Sequence, residues 1–513
     1  MSLFAEVVAA SSRVGAVSAR TAKVRELAAC LRSLAPDEIE IATHYLSGDT
    51  RQGRFGIGYA TLSAAAAGRA AGEAALAIIE VDRRLEEIAG IRGAGSASRR
   101  SSALRELFAV STAVEQEFLM RLLMGDLRQG ALAGVMIDAI AVAAALPAQE
   151  VRRAAMYSKS LGATAHAALV EGKAGLTHFQ LETLSPLAPM LAQTATSAAE
   201  ALQQLGGEVA FEWKMDGARI QAHKSGEVVR IFTRGLNDVS AAIPEIVATV
   251  RSLPTNDIVL DGEAIVFDAA GRPAPFQVTM RRFGRRLNVE QLRAQLPIQA
   301  FYFDCLRLDG QTLADRPARE RFAALARTLP AALLMPRIVT ASEAQAQEFY
   351  EAAIVAGHEG IMAKVPDAPY EAGNRGASWL KIKRAHTLDL VVLGAEWGHG
   401  RRAGKLSNLH LGALDHVSCE YVMLGKTFKG LTDAMLEWQT RELLAREIRR
   451  DPSTVYVRPE LVVEVAFSDL QDSPRYAGGL ALRLARVKRY RQDKPVAEAD
   501  DMQTVRQLSR NSR

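Results

Sequence analysis

Apolar residues recur at helical spacing through the first part of the chain, to about residue 190. Val24, Leu27, Ala28 and Leu31 show this spacing, and alternation of the kind typical of strands is rare in the region. The pattern predicts one helix that ends near Gly125 and a second over the segment ALAGVMIDAIAVAAAL. We therefore expect an all-α region at the N-terminal end.

The stretch GDLRQG lies between these two helices and contains Arg128, Gln129 and Gly130. A helix N-terminus beside an arginine and a glycine suits a bound phosphate, because glycine allows a close backbone approach. Taken alone, the stretch is explained more simply as a turn between two helices.

The spacing of apolar residues changes to a period of two from about residue 208, after the passage LSPLAPMLAQTATSAAEAL at 184–202. Ala218, Ile220 and Ala222 alternate with polar residues, and a Ser225-Gly226 turn leads into EVVRIFTR, which predicts a hairpin. Further short strands are predicted in DIVLDGEAIVFD, AFYFDCLRLDG, HEGIMAKV and SWLKIKR, with helical stretches between them. This region is typical of an α+β domain with an antiparallel sheet.

The region after about residue 386 shows several short strands and one helix near 432–449. Such a pattern indicates a small β-barrel, for which an OB-fold is the natural candidate. We predict a multidomain chain: a helical domain at 1–190, an α+β domain at 191–386, an OB-fold at 387–495 and a polar, mobile tail at 496–513.

Composition and charge narrow the class of protein. The 513 residues carry a net charge of +5, and two basic runs, RRFGRR at 281–286 and RLARVKRYRQDK at 483–494, raise the case for contacts with phosphates. The three cysteines, Cys30, Cys305 and Cys419, are scattered, so they predict neither a four-cysteine zinc site nor a disulfide framework. No apolar run is long enough for a membrane span, and no secretory signal is evident.

The strand SWLKIKR places charge on one face. Trp379, Lys381 and Lys383 share that face, while Leu380 and Ile382 share the other. Two ammonium groups beside an indole suggest a bound anion. An exposed edge strand protected by lysines is the competing explanation, and it is the simpler one for this segment alone.

Two carboxylates occupy similar surroundings. Glu263 lies on a face with Ile265 and Phe267, where it needs a partner such as a divalent cation or a ribose hydroxyl. Glu359 stands five places before Lys364. Together they resemble a magnesium phosphate site, although each alone is more simply part of an ion pair.

The segment EWKMDGAR surrounds Lys214 with charge and belongs to a longer series. In order along the chain, KMDGAR (214–219), FTRGLNDVS (232–240), DGEAIVFD (261–268), FYFDCLRLDG (301–310), EGIMAK (359–364), WLKIK (379–383) and ALRLARVKRYRQDK (481–494) resemble the motifs of covalent nucleotidyltransferases, specifically three-domain ATP-dependent DNA ligases. GDLRQG and PLAPMLA resemble the DNA-binding helical domain of that family and its junction. One K-x-D-G alone is a weak signal, but seven motifs in order are specific.

The resemblance implies a role for each matching residue. Lys214 would attack ATP to form lysyl-AMP, the DNA 5′-phosphate would take the AMP, and a 3′-hydroxyl would then seal the nick. The residues that the resemblance assigns to the nucleotide are Glu212, Arg219, Arg234, Glu263, Phe303, Arg375, Lys381 and Lys383. Within this set Phe303 would stack on adenine and Glu212 would face its amino group. The cofactors implied are ATP and Mg²⁺, with Glu263 and Glu359 toward the metal.

The resemblance also implies how the domains act on DNA. Arg128, Gln129 and Gly130 would contact nicked duplex DNA, and Arg483 and Arg486 would form a closing motif on the OB-fold. Ala485 stands where the family usually has proline, which leaves the local geometry of that motif open. We expect a monomer that encircles DNA without sequence preference in replication, repair or recombination, with no zinc and no membrane partner, located in the cytoplasm with the chromosome.

Three alternatives follow from the same residues. An NAD-dependent DNA ligase shares the lysine motif but needs a four-cysteine zinc module, which the scattered cysteines cannot supply. An RNA ligase or capping-type enzyme shares the nucleotidyltransferase core, but the helical N-terminal region is not expected in it. A catalytically inactive DNA-binding relic is the third alternative, although every catalytic position named above is filled.

Overall fold

The computed structural model of the chain describes residues 1–53, 55–127, 129, 133–158, 160–268, 270–283, 289–383 and 386–511. Its first region is helical, as predicted. The helices are α1 (Phe4–Ala16), α2 (Arg20–Ser33), α3 (Pro36–Ser47), α4 (Tyr59–Ala66), α5 (Ile78–Gly90), α6 (Ser96–Ala109), α7 (Ala113–Met124), α8 (Ala133–Ala144), α9 (Ala148–Tyr157), α10 (Leu161–His166) and α11 (Gly172–Leu176), with a π-helical turn at Ala167–Glu171.

Local sequence signals set the ends of α7. Thr112 and Glu115 form a capping box, in which each side chain satisfies a backbone N–H of the first turn. Gly125 follows the last turn with a φ of 68°, a left-handed conformation in which glycine pays no steric penalty. The predicted helix end at Gly125 is therefore confirmed.

The middle region contains two sheets. Its elements are β1 (Gln193–Ala195), α12 (Ala198–Leu205), β2 (Val209–Lys214), β3 (Ala218–Ser225), β4 (Val228–Thr233), α13 (Pro244–Arg251), β5 (Asp257–Val266), α14 (Phe276–Phe283), α15 (Val289–Gln295), β6 (Ile298–Leu308), β7 (Gln311–Thr312), α16 (Ala318–Thr328), β8 (Arg337–Thr340), α17 (Glu343–Val355), β9 (Gly360–Lys364) and β10 (Trp379–Lys383). One sheet has the order β1-β10-β9-β2-β8 and the other β4-β3-β5-β6-β7. Among the described residues of this region, β1 and β10 run parallel and the other strand pairs antiparallel.

Alternation along the first sheet separates its two faces. On β2, Val209, Phe211 and Trp213 pack with α12 and α17, and Leu380 and Ile382 of β10 join the same core. The residues between them on β2, β9 and β10 point to the opposite face. The face opposite that core thus receives the charged residues of three adjacent strands, including Glu212 and Lys214.

Strand β10 is not at the edge of its sheet, because β1 pairs with it on one side and β9 on the other. The competing explanation of Lys381 and Lys383, as guards of an exposed edge, is therefore wrong. The predicted hairpin is confirmed as β3 and β4, which pair from Ile220–Thr233 to Ser225–Val228.

Strand β3 differs from the simple alternation that its sequence predicts. Gln221 and His223 are buried, although they occupy the polar positions of the pattern. The passage 184–190 covers this face of the strand and explains the burial. Leu184 donates its backbone N–H to His223 Nδ1 at 3.0 Å, and Leu187 donates to Gln221 Oε1 at 2.8 Å.

The third region begins at β11 and closes as the predicted OB-fold. Its elements are β11 (His386–Trp397), β12 (Leu406–Asp415), β13 (Glu420–Thr427), α18 (Asp433–Ala445), β14 (Glu447–Arg450), β15 (Thr454–Val457), β16 (Val462–Phe467), β17 (Asp469–Asp472), β18 (Leu480–Arg483), β19 (Arg486–Tyr490) and α19 (Met502–Asn511). In the larger sheet β11 pairs with β12, β15 and β16, and β16 pairs with β19. Strands β17 and β18 form a separate hairpin.

The C-terminal segment after residue 495 is not the mobile tail that its polarity predicted. It contains α19, in which Met502 and Val505 are buried against the barrel. Arg506 adds an ion pair with Asp415 of β12 at 2.8 Å. The helix is polar on average, but its two apolar residues at a spacing of three lie on one face and supply the contact.

None of the helices formed by the described residues combines the length and the apolar character that a membrane span requires.

Replacement of Arg321 by methionine should destabilise the middle domain strongly. Arg321 and Asp304 form an ion pair with both side chains fully buried, at 2.7 Å. Burial raises the pKa of Asp304, but Arg321 outweighs it and keeps this pKa below its usual value. Loss of the cation would leave a buried charge and cost about 3–5 kcal/mol in the free energy of unfolding. Thermal or denaturant unfolding measures the loss.

Arg319→Met is the matched control for this prediction. Arg319 pairs with Asp367 at the surface, with both side chains more than half exposed, so its loss should change stability little. If both substitutions lowered the free energy of unfolding equally, the buried ion pair would not have the importance for stability proposed here.

His223 should make the stability of the middle domain depend on pH. Because His223 Nδ1 accepts from Leu184, the neutral ring carries its proton on Nε2, which donates to Gln221 Oε1 at 2.8 Å. Burial lowers the pKa of His223 to about 3 from an ordinary 6.5. The unfolded chain therefore takes up a proton below pH 6.5 that the folded chain refuses, and stability falls as the pH falls.

The protonation of His223 in the unfolded chain lowers the free energy of unfolding by about 2 kcal/mol at pH 5 relative to pH 8. In His223→Asn, which keeps an acceptor for Leu184, the fall in the free energy of unfolding from pH 8 to pH 5 should be smaller by about that amount. His178→Asn, at a side chain that is 72% exposed, should behave as the wild type. A pH dependence identical in all three proteins would refute the assignment.

Candidate active site

The two sheets of the middle domain enclose a cavity of about 1030 Å³, with the β17–β18 side of the third domain at its mouth. Residues that line it come from β2, β3, β5, β6, β9 and β10, and Arg483 and Leu484 reach it from the third domain. The site residues predicted from the sequence that line the cavity are Glu212, Lys214, Arg219, Arg234, Glu263, Phe303, Glu359, Arg375, Lys381, Lys383 and Arg483.

Lys214 lies at the end of β2, in contact with one carboxylate. Its Nζ is 2.5 Å from Glu359 Oε2, and Lys383 Nζ approaches the same oxygen at 2.7 Å. The strand register explains this arrangement, because Gly360 is the partner of both Lys214 and Lys383 across the sheet. Glu359 precedes Gly360 and so emerges between the two lysines.

Gly360 permits this close strand approach. Its φ is 143°, and a Cβ placed on it would lie 2.1 Å from the carbonyl oxygen of Ile382. Gly217 plays a similar part on the other sheet, where a Cβ would lie 2.4 Å from the carbonyl oxygen of Ala264. Both glycines belong to the sequence motifs, and both allow a charged neighbour to reach the cavity.

The lysines titrate in opposite directions. Burial lowers the pKa of Lys214, but Glu359, Glu263 and Asp216 outweigh burial, and the net change is upward. Burial and the charge of Lys214 lower the pKa of Lys383. The two neighbouring lysines hold the pKa of Glu359 at about 2 despite its burial. The centre is thus an ionised carboxylate between two cations.

Glu263 is the second carboxylate in the cavity. Burial raises its pKa to about 7, although Lys214 and Arg219 act against this change. Burial and Glu359 likewise raise the pKa of Asp216, which pairs with Arg483 Nη1 at 2.9 Å. A further cation bound in the cavity would therefore stabilise the ionised form of these carboxyl groups. Among the described residues no group of three or more His, Cys, Asp or Glu is placed to hold a metal by protein ligands alone.

Glu212 lies two residues before Lys214 on the same face of β2 and has two cationic partners. Lys364 Nζ is 2.5 Å from its Oε2, and Arg337 Nη2 is 2.6 Å from its Oε1. All three residues are buried or nearly so. The two cations hold this carboxylate in one orientation, with its oxygens as hydrogen-bond acceptors.

Aromatic rings form the wall beside Glu212. Phe303 and Trp379 meet edge to face, with centroids 6.1 Å apart at 80°. Lys364 Nζ lies 4.4 Å from the Phe303 centroid and 4.1 Å from that of Trp379, so a cation supports the wall from one side. The arrangement can accept a flat, uncharged ring.

Arg219 already has protein partners. Its Nε and Nη2 donate to the two oxygens of Asp261 at 3.0 and 2.7 Å, and Nη1 donates to the carbonyl of Met190 at 2.6 Å. The resemblance to the family assigned Arg219 to the nucleotide. In the structure, most of the Arg219 donors bind protein groups. The guanidinium lies 5.5 Å from the centroid of the Phe303 ring and supports that side of the cavity.

The two arginines of the predicted closing motif separate. Arg483 reaches the cavity, where its guanidinium also lies 4.8 Å from the Phe276 ring. Arg486 lies on β19 and is exposed, and it is not among the cavity residues. Leu484 between them has a φ of 57°, a left-handed conformation that turns the chain between β18 and β19.

One arginine of the basic run at 281–286 is not available to a phosphate. Arg282 is buried on α14, where its guanidinium pairs with Glu245 of α13. Residues 284–288 lie outside the described residues. The local charge count could not reveal that one of the arginines faces the core.

The stretch GDLRQG is described only in part, because Arg128 and Gly130 lie outside the described residues. Gln129 is buried, and its side chain accepts from Ser11 Oγ at 2.6 Å and donates to the carbonyl of Leu46. Lys23 Nζ donates to the backbone carbonyl of Gln129 at 2.5 Å. This amide therefore fixes the loop and does not present itself to a ligand, contrary to the direct contact predicted.

Sequence reasoning assigned no role to several residues of the site. Lys364, Arg337, Asp261 and Tyr370 hold the predicted residues in place. Lys364 could have been identified from the sequence, because a lysine within a predicted apolar strand is expected to be buried and to need a charged partner. Arg337 and Asp261 gave no such signal, because their partners are distant along the chain.

Three family models match the chain. The model described as "ATP dependent DNA ligase domain" matches residues 189–383, the "ATP dependent DNA ligase C terminal region" matches 402–494, and the "DNA ligase N terminus" matches 63–141.

Curated relatives match over nearly full length. A "Probable DNA ligase" of Anaeromyxobacter dehalogenans (strain 2CP-C) is 57% identical over 99% of both chains. A protein of the same name from Mycobacterium marinum is 50% identical over 99% of this chain and 100% of that one. The solved structure Pmar-Lig_PreS3 superposes with a TM-score of 0.59 at 17% identity, over 94% of this chain and 99% of that one, and shares its fold.

Gln129→Ala should destabilise the helical domain before it affects DNA binding. The substitution leaves the Leu46 carbonyl and the Ser11 hydroxyl without a partner in the interior, which costs about 1–3 kcal/mol. Melting temperature reports the loss, and the exposed Gln149 on α9 provides the control substitution Gln149→Ala. A direct DNA contact would give the reverse pattern, with weaker nick binding at an unchanged melting temperature.

Proposed function

The chain belongs to the ATP-dependent DNA ligase family, and from this premise we propose that it seals nicks in duplex DNA with Lys214 as the nucleophile. The observation that supports the assignment best is the position of the Lys214 amine. It lies in the cavity beside two carboxylates, and a second lysine approaches from β10, on the far side of β9.

In the first step the Lys214 amine attacks the α-phosphorus of ATP. A nitrogen–phosphorus bond forms, the bond from the α-phosphorus to the bridging oxygen breaks, and pyrophosphate leaves with the electron pair. The Lys214 ammonium gives up its proton to solvent water before the neutral amine attacks. Lys381 and Lys383, on the same face of β10, supply positive charge for the phosphate oxygens at which negative charge accumulates.

The aromatic part of the cavity suits the base. Adenine is assigned to Phe303, whose ring meets Trp379 edge to face, and base stacking on an aromatic ring contributes about 1–3 kcal/mol. Glu212, held by Lys364 and Arg337, presents only acceptors and so favours the exocyclic amino group of adenine over the carbonyl of guanine.

Glu263 and Glu359 would hold Mg²⁺. Both face the cavity, and the raised pKa of Glu263 indicates a carboxylate without enough positive charge around it. A magnesium ion takes few carboxylates and completes its coordination with substrate phosphates and water. When bound it would neutralise the phosphates. Arg234 and Arg375 line the same cavity and are assigned to the nucleotide or the nick phosphate.

Two later steps seal the nick. The 5′-phosphate oxygen at the nick attacks the lysyl-AMP phosphorus and releases Lys214, and the 3′-hydroxyl then displaces AMP to form the phosphodiester. We propose that the contact of Arg483 with Asp216 belongs to the closed arrangement for the first step, and that the barrel turns away for sealing.

DNA binding is assigned to phosphate contacts from the helical domain and the barrel together. We propose that both domains close around the duplex as a monomer, with Arg128 and Gly130 among the contacts, and that Arg486 faces DNA after the barrel turns. Such contacts accept any sequence and weaken steeply with added salt. Zinc has no part in this proposal.

Covalent labelling with α-labelled ATP tests the proposal. The protein is first stripped with pyrophosphate and then incubated with Mg²⁺ and labelled ATP or GTP. The expected result is label on the wild type from ATP only, none on Lys214→Ala, and loss of the label when nicked DNA is added.

Two outcomes would contradict this function. Label that stays with nicked DNA but leaves with nicked RNA would identify an RNA ligase. A stripped wild type that takes no label from either nucleotide would leave a DNA-binding protein without ligase chemistry.

A further inference from the structure

We propose that Tyr370 is a positioning residue for the nucleotide cavity, and that the helical domain, docked on the loop of Tyr370, thereby contributes to ATP affinity in the absence of DNA. The inference rests on the proposed function for the identity of the ligand. It concerns residues that lie behind the cavity wall and that sequence motifs did not indicate.

The hydroxyl of Tyr370 connects three separate segments. It donates to Asp261 Oδ2 at 2.7 Å, and it accepts from the backbone N–H of Met190 at 3.0 Å and from Arg219 Nη2 at 3.2 Å. Asp261 belongs to β5, Arg219 to β3 and Met190 to the segment that precedes the middle domain. One buried oxygen therefore fixes the relative positions of two strands and this segment.

The ring of Tyr370 supports the wall on which the base would stack. It meets Trp379 edge to face, with centroids 5.8 Å apart at 85°. Trp379 in turn meets Phe303, and the Arg219 guanidinium lies 5.5 Å and 5.8 Å from the Phe303 and Trp379 rings respectively. A shift of Tyr370 would move the cavity wall through both the ring and the guanidinium.

The loop that carries Tyr370 is bound along its length. Backbone N–H groups of Glu371 and Ala372 donate to sulfur atoms, Sδ of Met190 at 3.3 Å and Sδ of Met156 at 3.1 Å. Gly373 donates to the Ala188 carbonyl at 3.1 Å. The next residues of the loop lead to Arg375, which lines the cavity.

The helical domain contacts this loop from α9. Met156 supplies one of the two sulfur acceptors, and the neighbouring Tyr157 is buried with a hydroxyl that donates to Asp315 Oδ1 at 3.0 Å. Arg153 holds the other oxygen of Asp315 at 2.9 Å. Tyr370 donates its backbone N–H to Ala314, the residue before Asp315, at 2.8 Å. A continuous path of contacts thus joins α9 to the wall of the cavity.

These contacts predict an effect on ATP binding without an effect on chemistry. The Tyr370 hydroxyl contacts Arg219 and Asp261 of the sheet that contains β3 and β5, whereas Lys214 and Lys383 lie on the other sheet and are held by Glu359. Loss of the hydroxyl would loosen Arg219 and the aromatic wall, while the reacting amine would keep its surroundings. The expected signature is a higher half-saturating ATP concentration at an unchanged maximal rate of self-adenylation.

The experiment measures self-adenylation of the full-length protein without DNA, as single-turnover labelling against ATP concentration. Tyr370→Phe should raise the half-saturating concentration about tenfold, as expected for a lost hydrogen bond to charged groups, with a maximal rate within twofold of wild type. Tyr157→Phe should raise the concentration about threefold. The double variant should resemble Tyr370→Phe, because both changes act through one loop.

Tyr302→Phe is the matched control. Tyr302 is equally buried in the same domain, but its hydroxyl has no hydrogen-bond partner in the described part of the chain, so its removal should leave ATP affinity unchanged. The melting temperature of each variant is measured in parallel, at ATP concentrations of zero and saturation.

A half-saturating concentration in Tyr370→Phe that equals that of Tyr302→Phe would overturn the proposal, even if the melting temperature falls, because Tyr370 would then be structural only. An unchanged value in Tyr157→Phe would overturn the part assigned to the helical domain. Failure of the ligase assignment itself is distinguishable, since the wild type would then take no label.

Discussion

The carboxylate of Glu359 lies between the ammonium groups of Lys214 and Lys383, and the arrangement of the cavity depends on this position. Strands β2 and β10, on either side of β9, place both lysines on one face, where they would repel each other in a partly buried setting. The glutamate compensates this repulsion and holds both amines near the point where a phosphate would bind. Its own position follows from the backbone, because Gly360 allows β9 to lie against β10 without a side chain between them.

Several other charged groups of the middle domain follow the same rule, in which a buried ion has a partner that orients it. Arg321 holds Asp304, Arg219 holds Asp261, and Glu212 receives two cations. Such pairs are costly to bury and add little to net stability, but they hold side chains in one geometry. In a cavity that must align a nucleotide with an amine, fixed geometry has direct value for the reaction.

Much of this architecture could be predicted from the sequence. Helical periodicity identified the first region, and alternation placed Trp379, Lys381 and Lys383 on one face, because both signals are local. The role of Gln129, the burial of Arg282 and the partners of Arg219 could not be predicted. Each depends on contacts between residues far apart in the chain, as between Gln129 and Ser11 or Arg282 and Glu245.

The prediction of a mobile C-terminal tail, which rested on the polarity of the segment, was wrong for a related reason. Two apolar residues, Met502 and Val505, suffice to seat α19 on the barrel, and Arg506 pairs with Asp415 of the same domain. The helix is therefore a rigid extension of the barrel. A fluorophore attached to an exposed position of α19 would move with the barrel as one body. Its distance to a second dye on the helical domain would report in real time whether the barrel makes the rotation that we propose.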